Sequence, residues 1–174
     1  MSLTVLLGGA RAGKSALALE LARGHDGPVV YVATAEAGDD EMAARISQHR
    51  TERPAEWTTA EEPIALRSTV AAIEPDACVV VDCLTLWVAN LLARGDDVLP
   101  EAEAVAELAA GRPAPTIVVS NEVGLGIVPT SPVAREYRDL LGAVNAAFVR
   151  RAHDAAFVVA GCAIPLQPRW RPGA

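Results

Sequence analysis

What this sequence has little of narrows its function before any motif is read. Lysine occurs once, at Lys14; the other 14 of the 15 basic residues are arginines. Acidic residues outnumber basic ones, 22 against 15, giving a formal net charge of −7. A nucleic-acid groove needs concentrated positive charge, so the balance argues against a nucleic-acid partner. The three cysteines, Cys78, Cys83 and Cys162, are odd in number, widely spaced and set among apolar residues. That argues against a disulfide framework or zinc site and is expected of small buried hydrophobes in a reduced, cytoplasmic protein. No apolar run approaches the roughly 20 residues that span a bilayer. MSLTVLLGG lacks the charged leader of a signal peptide and runs straight into glycine.

The rest of the chain alternates two periodicities. LTVLLG (3–8), VVYVAT (29–34), CVVVD (78–82), TIVVS (116–120) and AFVVAG (156–161) are short apolar runs that predict buried strands. Between them lie helical patterns: 15–23, a helix capped by Asp39 or Asp40 and stopped by Pro54, one starting near Pro63, 85–94, an alanine-rich stretch to about Ala110, and 133–152. Strands alternating with helices imply right-handed crossovers and a mostly parallel α/β sheet covered on both faces. No linker or repeat divides residues 1–174, which read as one nucleotide-binding domain ending in a proline-rich tail.

GGARAGKS (8–15) fits G-x-x-x-x-G-K-[ST], with Gly8, Gly13, Lys14 and Ser15 in the defining positions. Such a loop turns backbone N–H groups toward a phosphate, and the following helix adds its N-terminal dipole. Lys14 supplies a compact positive charge to the outer phosphates, and the Ser15 hydroxyl can ligate Mg²⁺. Asp82, closing an apolar strand, is the natural second carboxylate for that ion, directly or through water. Its other reading is a polar strand end that caps the helix at Thr85. A guanine-reading N-K-x-D motif cannot occur, because the one lysine is already in the loop.

The segments GGARAGKS, VVYVATA, DDEMAARISQHRTERP, VVVDCLTLWVANLL, VVSNEVGLGIVP and AREYRDLLGAVNAAF together resemble the bifunctional adenosylcobinamide kinase/adenosylcobinamide-phosphate guanylyltransferase family of cobalamin biosynthesis. They occur in the family's order over nearly the whole chain. The resemblance implies a RecA-like P-loop fold and a homotrimer. It also implies phosphorylation of a corrinoid, adenosylcobinamide, by ATP or GTP. GMP then passes from GTP to that phosphate by way of a GMP-histidine intermediate at His49. The implied nucleotide site comprises Gly8, Gly9, Ala10, Arg11, Ala12, Gly13, Lys14, Ser15, Ala33, Thr34, Ala35, Arg50, Thr51, Glu52, Arg53, Glu61 and Asp82. Two features depart from the family pattern: Ala12 replaces the usual serine, and the stretch from Gly95 to Pro115 is short.

His49 follows Met42 by seven residues and Ile46 by three, so the three share a helix face. Residues alone leave open a histidine that packs under the helix and bonds a carbonyl. The resemblance favours a nucleophile: a neutral imidazole attacks phosphorus well. Arg45, Arg50 and Arg53 would neutralise a triphosphate beside it and keep the ring uncharged. Asn121 and Glu122, after a strand end, are expected to face the crevice, toward the corrinoid or its hydroxyl. His25 and His153 are expected to be solvated.

Overall fold

A computed structural model describes residues 3–166, with the side chains of Glu41 and Arg45 outside the described set. Seven strands, β1 (Leu3–Gly8), β2 (Val29–Ala33), β3 (Thr58–Glu61), β4 (Cys78–Asp82), β5 (Thr116–Val119), β6 (Asp154–Val159) and β7 (Cys162–Pro165), make one sheet. Their order is β3-β2-β4-β5-β1-β6-β7. All neighbouring pairs are parallel except β6 and β7. Six helices connect them: α1 (Lys14–Arg23), α2 (Asp40–Thr51), α3 (Leu66–Ala72), α4 (Leu84–Arg94), α5 (Val98–Gly111) and α6 (Pro132–Arg151).

The period of two along each strand divides the core. Leu3, Val5, Leu7, Val32, Val79 and Val81 pack with α3, α4, α5 and α6, around Trp87 and Phe148. The alternate residues Leu6, Tyr31, Ala33, Cys78 and Val80 pack with Ala18, Leu19 and Ala22 of α1 on the opposite face. Parallel strands covered on both faces need apolar residues at nearly every position, which the runs VVYVA and CVVVD supply. Strands β1, β2, β4 and β5 end on one side of the sheet, and their carboxyl ends set the crevice floor.

Several expectations are corrected. The four-residue edge strand β3 lies in a stretch read as a connection, and β7 in one read as tail. The helix expected from Pro63 begins at Leu66. Ahead of it, the Glu62 carboxylate accepts from the N–H groups of Ile64 and Ala65, at 2.9 and 2.7 Å, in a non-helical turn. Cys78 is buried and Cys83 partly so, but Cys162 is exposed on β7.

One buried cation is structural. Arg112 donates to the carbonyls of Val70, Ile73, Glu74 and Ala77 at 2.7–3.2 Å, satisfying the C-terminal end of α3 and the turn into β4. Arg112→Met keeps much of the stem and strands these carbonyls. The expected loss is about 3 kcal/mol, or roughly 6–12 °C in thermal midpoint for a domain of this size. An unchanged melting curve would show that water replaces the guanidinium freely.

Candidate active site

The loop between β1 and α1 has the conformation its glycines permit. Gly13 has φ 103°, and Gly8 φ 152°. A side chain at Gly8 would begin 2.2 Å from the Val158 carbonyl of β6, so the strand and loop meet too closely for any Cβ. The turn between β6 and β7 braces the loop from below: the Gly161 N–H donates to the Ala12 carbonyl at 3.0 Å. Lys14 is 6% exposed. Its ammonium donates to the carbonyls of Gly9 at 2.6 Å and Gly8 at 3.1 Å. An ammonium has three donors, so one remains for a phosphate oxygen. Burial lowers its pKa, while Cys83 and Asp82 pull it upward.

Asp82 ends β4 in register with Ala33, and Tyr31 lies two residues back on β2, on the same face. The Tyr31 hydroxyl donates to Asp82 Oδ2 at 2.5 Å. Burial, followed by the Asp82 charge and this hydrogen bond, pushes the phenol pKa far up, so the hydroxyl stays a donor. The N-cap of α4 is Cys83, with no side-chain cap, so Asp82 does not have the capping role that its position also allowed. The Cys83 thiol is pushed up to about 11, first by burial and then by Asp82, which makes it a poor nucleophile. Thr34 has the opposite parity from Ala33 and Ala35. It is fully buried, and its hydroxyl donates to the Cys83 carbonyl and accepts from the Cys83 N–H, at 2.7 and 2.9 Å.

Helix α2 forms the far wall. Asp39 caps it, accepting from the Met42 N–H at 2.7 Å. Met42, Ile46 and His49 all line the cleft, as their common face requires. His49 is part-exposed; its Nδ1 faces Glu52 at 3.8 Å, and Nε2 has no partner among the described residues. Arg50 pairs with Glu61 at the end of β3. The Arg53 guanidinium lies 3.8 Å above the centre of the Tyr31 ring. The side chain of Arg45 lies outside the described set.

These parts enclose a cleft of about 750 Å³. Of the residues singled out from sequence, Ala10–Ser15, Ala33, Ala35, His49, Arg50, Glu52, Arg53, Glu61 and Asp82 line it. Gly8, Gly9, Thr34 and Thr51 do not. The first two hold Lys14 with their carbonyls, Thr34 braces the β4 end, and Thr51 Oγ1 donates to the Gln48 carbonyl at 2.7 Å. Asn121 lines the cleft, with its own carbonyl accepting from Asn145 at 3.0 Å, whereas Glu122 accepts from Gly124 within its turn. His25 bonds the Asp76 carbonyl at 2.9 Å and His153 pairs with Asp154, so neither is merely solvated. The sequence reading missed Tyr31, which looks like an ordinary strand residue.

Among the described residues no group of three His, Cys, Asp or Glu side chains could hold a metal ion. One hydroxyl and one carboxylate, Ser15 and Asp82, both lining the cleft, are nevertheless a donor set suited to Mg²⁺, which keeps waters and takes phosphate oxygens for the rest. No helix among the described residues is long and apolar enough to cross a membrane.

Solved structures with a similar fold include the RadB recombinase, at TM-score 0.54 and 21% identity over 90% of this chain and 73% of that one. A type III secretion ATPase follows at TM-score 0.50 and 11% identity, over 90% of this chain and 50% of that one. Both support a RecA-like P-loop fold. Sequence relatives are far nearer. The bifunctional adenosylcobalamin biosynthesis protein CobP of Pseudomonas aeruginosa is 46% identical over 94% of this chain and 96% of its own. Its counterparts named CobU, from Escherichia coli and Salmonella typhimurium, are 39% and 38% identical over 94% of this chain and 98% of theirs. Residues 4–166 match the family described as cobinamide kinase / cobinamide phosphate guanyltransferase. The chain belongs, as an enzyme, to that family.

Proposed function

We propose that this one domain catalyses both reactions, phosphorylating adenosylcobinamide with ATP or GTP and then transferring GMP from GTP onto the new phosphate. The observation that carries the reading is the single cleft shared by Lys14, Ser15, Asp82 and His49. In the first reaction the corrinoid hydroxyl oxygen attacks the γ-phosphorus. The bond to the β–γ bridging oxygen breaks, the nucleoside diphosphate leaves, and the hydroxyl proton is lost. In the second, His49 attacks the α-phosphorus and pyrophosphate leaves. A phosphate oxygen of adenosylcobinamide phosphate then displaces the imidazole, giving adenosylcobinamide-GDP and free His49.

Lys14 and the loop N–H groups hold the triphosphate, and Arg50 and Arg53 offset its charge beside the imidazole. Glu52 faces Nδ1, which leaves Nε2 as the attacking atom. Ser15 and Asp82 would hold Mg²⁺, which supplies charge neutralisation at the phosphates. The loop after β5 projects Leu125 and Ile127, 80% and 98% exposed, beyond the cleft-lining Asn121, an apolar margin suited to a large corrinoid. The resemblance implies a homotrimer and the cysteine pattern a cytoplasmic one, and light scattering is expected to give a mass near three chains.

Two substrate arms test the reading. Adenosylcobinamide with γ-labelled ATP should gain label, and adenosylcobinamide phosphate with GTP should yield adenosylcobinamide-GDP and pyrophosphate. Activity in only one arm leaves a monofunctional enzyme. Asp82→Asn keeps the shape and removes the charge, so it should lower Mg²⁺-dependent turnover about 10- to 100-fold, a loss of roughly 1.5–3 kcal/mol. Mg²⁺ titrations of mutant and parent that superimpose would assign Asp82 to architecture alone.

A further inference from the structure

We infer that Tyr31 is the positioning residue that holds the two halves of the cleft in register, fixing Asp82 through its hydroxyl and Arg53 through its ring. The inference rests on the proposed function, in which Asp82 works beside the P-loop and Arg53 beside His49. Tyr31 is 2% exposed and packed in the apolar cluster under α1, so its ring has little freedom. The pairing of β2 with β4 sets Tyr31 opposite Val80, one strand-face step from Asp82. From there the hydroxyl reaches Oδ2 at 2.5 Å and leaves Oδ1 for other partners. A buried hydroxyl bonded to a carboxylate fixes that carboxylate's rotamer and supports its charge.

The ring has a second task. Arg53 stacks on it at 3.8 Å, while its one side-chain hydrogen bond among the described residues, to Thr59, is long at 3.4 Å. The Arg53 Nε is buried with no hydrogen-bond partner among the described residues. The Tyr31 face is therefore the chief support for this guanidinium. Arg53 follows Glu52, the C-cap of α2, so whatever fixes Arg53 also fixes the segment that carries His49. No described α2 residue belongs to either apolar cluster. Among the described residues, the remaining ion pair that ties this segment to the sheet, Arg50–Glu61, is solvent-exposed and correspondingly weak. One tyrosine thus ties a lightly anchored helix to the carboxylate at the strand end.

Two double-mutant cycles test this on the full-length chain, with thermal midpoints recorded for every variant. Tyr31→Phe keeps the ring and removes the hydroxyl. It should lower the kinase rate about tenfold in the parent and less than twofold in Asp82→Asn, as expected for a lost bond to a charged group. Tyr31→Leu also removes the ring. It should cut protein-bound label from α-labelled GTP about tenfold beyond Tyr31→Phe, and less than twofold beyond it in an Arg53→Ala background. The ratio of guanylylation to kinase rate should therefore fall in Tyr31→Leu and hold in Tyr31→Phe. A residue that merely fills the core would lower the midpoint and both rates together, leaving that ratio unchanged. That result, or additive losses in either cycle, overturns the inference. A parent chain that takes up no label contradicts the proposed function instead. The affinity of a fluorescent GTP analogue then reads the Arg53 cycle, with coupling or additivity deciding as before.

Discussion

Lys14→Ala is expected to lose both half-reactions, by roughly two to three orders of magnitude each. Under the proposed function both reactions would seat a triphosphate in the same loop, and Lys14 is its buried cation. Removing one preorganised charge contact to a developing phosphate charge costs about 3–4 kcal/mol. The ammonium also donates to the Gly8 and Gly9 carbonyls, so the alanine variant loosens the loop as well. Lys14→Arg separates the two effects. It keeps the charge, but its planar fork does not reproduce the two contacts of a buried point charge with a donor to spare. The arginine variant should recover nucleotide affinity more than turnover. Rates for both reactions within a few-fold of the parent in Lys14→Ala, with an unchanged melting midpoint, would remove Lys14 from the mechanism.

The sequence was most legible where the physical signal is local. A glycine loop between an apolar run and a helical pattern occupies eight consecutive residues, and the cleft is built around it. The core strands were visible because parallel strands buried on both faces need unbroken apolar runs. Edge strands carry no such requirement. The residues of β3 are mostly exposed and those of β7 all exposed; TTAE holds no apolar run, and CAIP, though apolar, is four residues long and runs into a proline-rich segment. The β6–β7 turn is also concealed, since its first left-handed position is Ala160 rather than the asparagine or aspartate such turns favour.

Within the site, the misses follow from register. Ala33, Thr34 and Ala35 look alike as a segment, but strand parity turns Thr34 under the sheet to brace Cys83. Tyr31 acquires its role only from the alignment of β2 on β4, a pairing that joins residues 51 apart in sequence. No window on the chain contains that information. His49 was intermediate. Its helix face was legible from the spacing to Met42 and Ile46, whereas the packed and the reactive readings differ only in what the face meets. It meets the cleft.

With GTP and Mg²⁺ but no corrinoid, the chain should therefore acquire one GMP on His49 and release one pyrophosphate. The ring is part-exposed, lines the phosphate cleft, and carries an Nε2 without a partner among the described residues. Under the proposed function the α-phosphorus is attacked by this side chain, whereas γ-phosphoryl transfer would pass directly to the corrinoid hydroxyl. The two outcomes should separate in His49→Ala, with protein-bound GMP and adenosylcobinamide-GDP formation falling to background and the kinase reaction retained. Little stability should be lost, because the imidazole's ion-pair partner among the described residues, Glu52, is exposed and 3.8 Å away. The bond formed is P–N, so the label should survive alkali and be lost in mild acid. Label from α-³²P GTP that persists in His49→Ala, or that peptide mapping assigns to His25 or His153, would identify a different nucleophile. Loss of kinase activity together with labelling, at unchanged nucleotide affinity, would instead make His49 a shared part of both reactions.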